Sequence, residues 1–263
     1  MKIFVFGAGG MLGRYVYGYL KDAIPITRTE INAMSLRDEV FNKQLDILNI
    51  GGGDVIINCM GITNKHTREI SEFLAVNSIF PRLLADYCER RRAHLLHIST
   101  DCVFDGRDGN YDENSPHTEQ GIYGLSKSLG EPYNATVIRT SIIGENPVHN
   151  LDLLEWVKKQ HGGVINGWIN YFWNGITCLQ FAKICEEIIK NVMYWNGVRH
   201  IFSEQTSKAD LIGLINDIYK CNCTPIRREA EIPCNRTLTS IYERMFKIPS
   251  IKEQIVEQKN FKL

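Results

Sequence analysis

The sequence predicts an α/β fold: a doubly wound parallel sheet with helices on both faces and a small C-terminal lobe. Three observations predict it. Short apolar runs alternate with amphipathic stretches through the first half of the chain, as strand–helix repeats with right-handed crossovers require. Inner runs such as Val55-Ile56-Ile57 are continuously apolar, which suits parallel strands covered on both faces. A glycine-rich turn, Gly7-Ala8-Gly9-Gly10-Met11-Leu12-Gly13, follows the first run directly and opens the first amphipathic stretch.

Taken in order, the periodicity gives a strand over residues 2–7, a helix over 11–22, a strand over 23–27, a buried strand over 54–60 and a long helix over 71–92. A strand over 94–99, a helix over 123–133 and a strand over 136–140 follow. Arg90-Arg91-Arg92 closes the long helix with cations suited to a helix C-terminus. After about Gly144 the rhythm changes, with a Pro/His/Asn-rich joint at 145–150 and an aromatic, glycine-punctuated segment at 162–173. Helical patterns come next at 178–192 and 208–219. The chain is therefore expected to divide into a cofactor-binding domain, 1–147, and a substrate-binding lobe, 148–263, part of which returns to the sheet.

Charge narrows the partners. The 263 residues carry 30 Lys+Arg and 30 Asp+Glu, and a nucleic-acid binder would need a basic surplus. The balance hides a split: 15 basic and 18 acidic residues in 1–150, but 15 basic and 12 acidic in 151–263, so an anionic substrate is expected at the second part. No apolar stretch approaches the roughly 18 residues of a membrane span, and a cytoplasmic monomer or homodimer is expected. The eight cysteines show no Cys-x-x-Cys pair, which favours reduced thiols. Cys221, Cys223 and Cys234 fit no zinc template, and His66, His97, His117, His149, His161 and His200 lack ligand spacing, so no metal is expected. The six carboxylates between Asp101 and Glu119 read as a solvated loop.

The glycine turn lets a backbone approach a pyrophosphate, while the helix N-terminus behind it supplies amide donors. Arg28, after the second strand, suits a 2′-phosphate and so favours NADPH, whereas Glu30 keeps NADH open. Tyr123 and Lys127, four apart on a helix, project from one face. A neighbouring ammonium is expected to lower the phenol's pKa toward a value useful in proton transfer, and Lys127 is expected to hold the nicotinamide ribose. Thr100, at the carboxyl end of a parallel strand, can hydrogen-bond a substrate oxygen. Trp156, Trp168, Tyr171, Phe172 and Trp173 are candidate faces for a base or sugar ring; Arg139, Arg227, Arg228 and Arg236 are candidate diphosphate partners.

With these motifs the sequence resembles the extended short-chain dehydrogenase/reductases, and among them the dTDP-4-dehydrorhamnose reductase family. The resemblance rests on the glycine turn, Asp54-Val55-Ile56-Ile57-Asn58-Cys59, Val76-Asn77, Ile98-Ser99-Thr100-Asp101-Cys102-Val103-Phe104-Asp105-Gly106, and Tyr123-Gly124-Leu125-Ser126-Lys127 with Gly130-Glu131. Ile138-Arg139-Thr140-Ser141 completes it, and beyond residue 145 only Trp173-Asn174-Gly175-Ile176-Thr177 and Asn235-Arg236-Thr237-Leu238 align. It implies a Rossmann-type fold and NADPH-dependent reduction of the C4 carbonyl of a dTDP- or UDP-linked 4-keto-6-deoxy-hexose or its 2-acetamido analogue. The implied catalytic set is Thr100, Tyr123 and Lys127. Gly7, Gly9, Gly10, Met11, Leu12, Gly13, Arg28, Cys59, Met60, Gly61, Asn77 and Ser99 would serve the cofactor; Thr100, Asp101, Cys102, Asn174 and Arg236 would serve the substrate. Cys102 stands where the family usually has Tyr, and Asn32 where many members have Asp. No Glu follows Thr100-Asp101, which weakens a 4,6-dehydratase reading. An epimerase or dehydratase that recycles bound NAD, and a non-catalytic subunit like the regulatory one of methionine adenosyltransferase, remain the alternatives.

Overall fold

Six parallel strands form the central sheet. In the computed structural model, which describes residues 1–34, 38–63, 69–146 and 152–263, these are β1 (Ile3–Phe6), β2 (Ile24–Ile26), β3 (Val55–Asn58), β4 (His94–Thr100), β5 (Thr136–Thr140) and a late strand, Gly197–His200. Their order is β2-β1-β3-β4-β5 with Gly197–His200 outside β5. Strand order therefore reverses between β1 and β3, the crevice where open α/β sheets bind ligands. Val55, Ile56 and Ile57 are fully buried, as continuously apolar central strands must be. Pro25 is tolerated in β2 because that strand is at the edge.

One sheet face packs on helix α1 (Met11–Tyr19) and on Cys178–Lys190, enclosing Val5, Ile57, Leu96, Ile98, Phe181 and Ile188. The other packs on α2 (Asp38–Ile47), where Phe41 and Leu45 are buried, and on a long helical rod. That rod is broken where the sequence suggested one helix: α3 (Ile70–Phe73) runs into a π-helical turn, Leu74–Ile79, and then α4 (Phe80–Arg91). Arg90 and Arg91 lie in the last turn of α4, and Arg91 pairs with Asp46. The helix that carries Tyr123 and Lys127, α5 (Ile122–Leu129), ends at Leu129, capped by Gly130 and four residues short of the expected limit.

The joint expected at residue 147 lies among residues 147–151, outside the described residues, as do His66 and His149. Around it the layers are shared, since Cys178–Lys190 and Gly197–His200 complete the sheet. A second core gathers Ile143, Leu154, Val157, Ile165, Leu211, Ile215, Ile251 and Ile255. It supports two small sheets, Thr224–Arg228 beside Val164–Trp168, and Tyr171–Trp173 between Thr206–Ser207 and Cys234–Asn235. The helix Ile251–Asn260 starts with a capping box between Ser250 and Glu253. All eight cysteines are free. Among the described residues no helix is long and apolar enough to cross a membrane.

Candidate active site

The reversal point between β1 and β3 is shaped by the glycine turn. Gly7 has φ +77, and a Cβ there would stand 3.0 Å from Met60 Cγ and 3.2 Å from its nitrogen. Its amide donates to Ile26 O at 2.8 Å, while the Gly10 amide donates back to Gly7 O at 2.9 Å. A Cβ on Gly13 would meet Gly7 O at 2.1 Å, whereas one on Gly9 would meet nothing within 4 Å. The turn is thus closed beneath α1 and open above it. No side chain caps the N-terminus of α1 at Gly10, where the first-turn amides form the positive end of the helix. This is an open cradle shaped for a phosphate, so the residues fit a dinucleotide.

Across the crevice, Asn58 Oδ1 accepts from the Met60 amide at 3.1 Å and so fixes Cys59 and Met60. Asn77 sits in the π turn, where its side chain takes both polar groups of Ile62: Oδ1 accepts from the amide at 3.0 Å and Nδ2 donates to the carbonyl at 2.9 Å. Nδ2 also reaches Ser126 Oγ at 3.0 Å. One side chain therefore ties the loop after β3 to α5, and π turns recur at such functional sites.

Tyr123 and Lys127 descend from α5 onto the end of β4. Lys127 Nζ donates to Ile98 O at 2.7 Å, and the Tyr123 side chain lies beside that of Thr100 on the wall of one cleft. Thr100 Oγ1 also accepts from the Cys102 amide at 3.1 Å and donates to Asp101 Oδ1 at 3.1 Å. Burial pulls Lys127 down to about 8, against the negative charge of Glu131. Burial pushes the Tyr123 phenol up, and the charges of Cys102 and Asp101 add to this. The expected lowering by Lys127 is thus corrected: Lys127 is not among the groups that move the phenol, and burial holds its proton on. Asp101 is likewise raised by burial, with Arg236 opposing.

Thr100, Tyr123, Lys127, Met11, Leu12, Cys59, Met60, Gly61 and Ser99 line one cleft of about 610 Å³. It adjoins a second cavity of about 780 Å³, with Met11, Asp101, Cys102, Ser141, Ile142, Asp152 and Arg236 on both walls. The outer wall of the second cavity is Trp156, Trp168, Tyr171, Phe172 and Trp173, the five aromatics singled out in the sequence. Lys208 joins them, 5.8 Å over the Tyr171 ring and lowered by burial.

A family model described as RmlD substrate binding domain matches residues 1–151, more than half of the chain. The chain belongs to the RmlD substrate-binding-domain family. Curated RmlD-type relatives named dTDP-4-dehydrorhamnose reductase include one from Mycobacterium tuberculosis, 32% identical over 157 residues, covering 53% of this chain and 49% of the relative. Against that relative the chain accounts for about half the length. Another, from Aggregatibacter actinomycetemcomitans, is 30% identical over 226 residues, covering 77% of this chain and 74% of the relative. A crystal structure of dTDP-4-dehydrorhamnose reductase from Bacillus anthracis in complex with NADP superposes with a TM-score of 0.79 at 19% identity, covering 98% of each chain. That likeness shows the fold.

Several residues singled out in the sequence lie elsewhere than expected. Asn174 is buried and spends its amide on Leu238, donating to its carbonyl at 2.8 Å and accepting from its amide at 2.9 Å; it is a backbone clamp and does not line the cavities. Arg139, a diphosphate candidate, is buried against Glu131. Arg227 pairs with Asp210 at the surface, and Arg228 is exposed. Arg28 is exposed on the loop after β2. Arg236 lines both cavities, held by Phe104 O at 2.8 Å and Glu119 Oε2 at 2.7 Å. The acidic loop is less solvated than expected. Glu113 accepts from the His200 and Ile241 amides, and Asp105 accepts from the Tyr111 hydroxyl at 3.1 Å. Lys208 was missed because a lysine opening a helix carries no sequence signal of its own; its single cue is its position after Ser207, the helix N-cap.

Proposed function

We propose that the protein is an NADPH-dependent reductase acting on the C4 keto group of a nucleotide-linked 4-keto-6-deoxy-hexose in the cytoplasm. The observation that carries this reading is the meeting of Tyr123, Thr100 and Lys127 in a cleft that joins the glycine cradle to an aromatic cavity. A reduced nicotinamide, when bound, supplies the hydride. Gly7 to Gly13, Cys59, Met60 and Gly61 would hold it, Lys127 would take its ribose hydroxyls, and exposed Arg28 would meet a 2′-phosphate. Thr100 orients the carbonyl oxygen, and Tyr123 gives that oxygen the proton that completes the alcohol. A buried phenol with its proton held on suits an acid in the direction of reduction.

The aromatic wall supports a nucleobase or sugar ring in the second cavity, with Arg236 and Lys208 as its cations. The names of the curated relatives favour a dTDP-linked sugar; a UDP-linked or 2-acetamido sugar fits the same chemistry. The test is to mix the protein with NADPH and the product of a 4,6-dehydratase acting on dTDP- or UDP-sugars, and follow near-ultraviolet absorbance and the sugar product. Oxidation of NADPH matched by a 6-deoxy-hexose supports the reading. No oxidation with any of these sugars overturns it, and conversion without net consumption of cofactor favours an epimerase or dehydratase.

A further inference from the structure

Three side chains at a regular spacing carry an inference about Glu131. Tyr123, Lys127 and Glu131 recur every fourth residue, and each meets the end of β4. Tyr123 lies beside Thr100, Lys127 Nζ donates to Ile98 O at 2.7 Å, and Glu131 Oε1 accepts from the Ser99 hydroxyl. Glu131 lies just beyond α5, after Gly130, where a Cβ would stand 1.8 Å from Asn77 O. The close approach of α5 to the π turn therefore fixes where the carboxylate is delivered.

Arg139 then locks it there. Arg139 Nε donates to Glu131 Oε1 at 3.0 Å and Nη2 to Oε2 at 2.6 Å, with side chains only 2% and 8% exposed. Sheet register explains why Arg139 is at hand: it stands between Ser99 of β4 and His200 of the last strand. Two of its three remaining hydrogens go to His200 Nε2 and His117 Nε2, each at 2.8 Å. Both imidazoles accept from a guanidinium, so both are neutral here. A bidentate, nearly dry pair with four of the guanidinium's five hydrogens engaged holds its anion rigidly.

We propose that Glu131 is a positioning residue: anchored by Arg139, it docks the trailing end of the Tyr123–Lys127 helix onto Ser99 and presents a fixed negative charge to the Lys127 ammonium. The other groups around Lys127 do not replace it. Cys59 after β3 is a buried thiol held protonated, His97 on β4 is neutral through burial, and Tyr123 keeps its proton. The π turn contributes uncharged Asn77 and Ser78.

The proposal rests on the reductase reading only in its kinetic arm. The direct arm titrates Lys127 by NMR of isotope-labelled lysine side chains in the full chain. Glu131→Gln strands a buried Arg139 and can unfold the protein, so the working variant is the double Glu131→Gln/Arg139→Gln, checked by its melting temperature. Its Lys127 midpoint is expected to fall by about one pH unit, carrying the alkaline limb of kcat with it, while Glu131→Asp keeps the wild-type midpoint. Ser99→Ala creates no buried charge and decides the matter if the double variant does not fold. At saturating NADPH it should lower kcat by about tenfold with KM and the Lys127 midpoint unchanged. An unmoved midpoint in a folded double variant, or wild-type kcat in Ser99→Ala, overturns the proposal and leaves Glu131 as half of a buried ion pair. A wild-type chain that reduces none of the sugars while the midpoint moves as expected strikes the reductase reading alone.

Discussion

Two glycines of the same turn should respond to alanine in different ways. At Gly13 the new methyl would sit 2.1 Å from Gly7 O, 2.6 Å from its carbonyl carbon and 2.9 Å from Ala8 Cα. Ordinary contact needs about 3.5 Å, so the turn and α1 must part by more than about 1 Å. Forced repacking of this kind costs about 1–3 kcal/mol, which lowers the melting temperature by about 2–12 °C in a chain of this size. A displacement of about 1 Å in a binding constellation costs about a hundredfold, so NADPH affinity should fall by that factor. At Gly9 nothing lies within 4 Å, so alanine there should leave stability within about 0.5 kcal/mol of wild type. The methyl nevertheless fills the space above the cradle, and NADPH affinity should fall by about tenfold or more, worth about 1.4 kcal/mol. Fluorescence titration with NADPH beside thermal melting separates the two. A Gly13→Ala protein with wild-type NADPH affinity, or a Gly9→Ala protein that binds as wild type, would refute the assignment of this turn to the dinucleotide.

Three further outcomes follow from the site. Tyr123→Phe should lose about 10²–10⁴-fold in kcat with NADPH affinity retained, since only the proton donor is removed; lost binding would show the role to be wrong. Lys127 titrates near 8 when folded and near 10.5 when not, so the unfolded chain binds more protons between those values and stability rises with pH there. Wild type should therefore gain stability relative to Lys127→Met from pH 8 to 10, while its NADPH affinity falls over the same range as the ammonium is lost. His97, His117 and His200 are all lowered by burial, so their stabilisation is present above the ordinary histidine value of about 6.5 and is lost as the pH falls below it. His200→Gln should flatten part of that acid loss in melting curves taken from pH 7 to 5.

The parts of the fold that were legible in the sequence are those governed by local pattern. A continuous apolar run gave β3 and short apolar runs gave β4, and the glycine turn with its flanking strand and helix announced the crevice. The four-residue spacing of Tyr123 and Lys127 put both on one face of α5. Features set by the partner surface were not legible. The π turn at Leu74–Ile79 leaves no mark in helical periodicity, because it is a one-residue adjustment that aims Asn77 at Ile62. Asn174 and Arg139 have the chemistry of ligand-binding residues, and only burial beside Leu238 and Glu131 shows how that chemistry is spent. The helix α2 was missed although Phe41 and Leu45 mark its buried stripe, because exposed Ile47 blurs the apolar period of a short, polar stretch. The capping box at Ser250 and Glu253 was a readable start signal for the last helix and passed unread.

The late strand Gly197–His200 has a consequence in time as well as in space. A nascent chain that has emerged to residue 146 holds five strands of the sheet, but the edge of β5 is open and the face later covered by Cys178–Lys190 is bare. Arg139 still lacks His200. At about 5–20 residues per second, synthesis takes several seconds to bring the strand out. Through that interval the open edge is a template for a strand of another chain. Soluble yield should therefore depend on the speed of translation between residues 146 and 200, and a ribosome slowed in that stretch would prolong the most aggregation-prone stage in the life of the molecule.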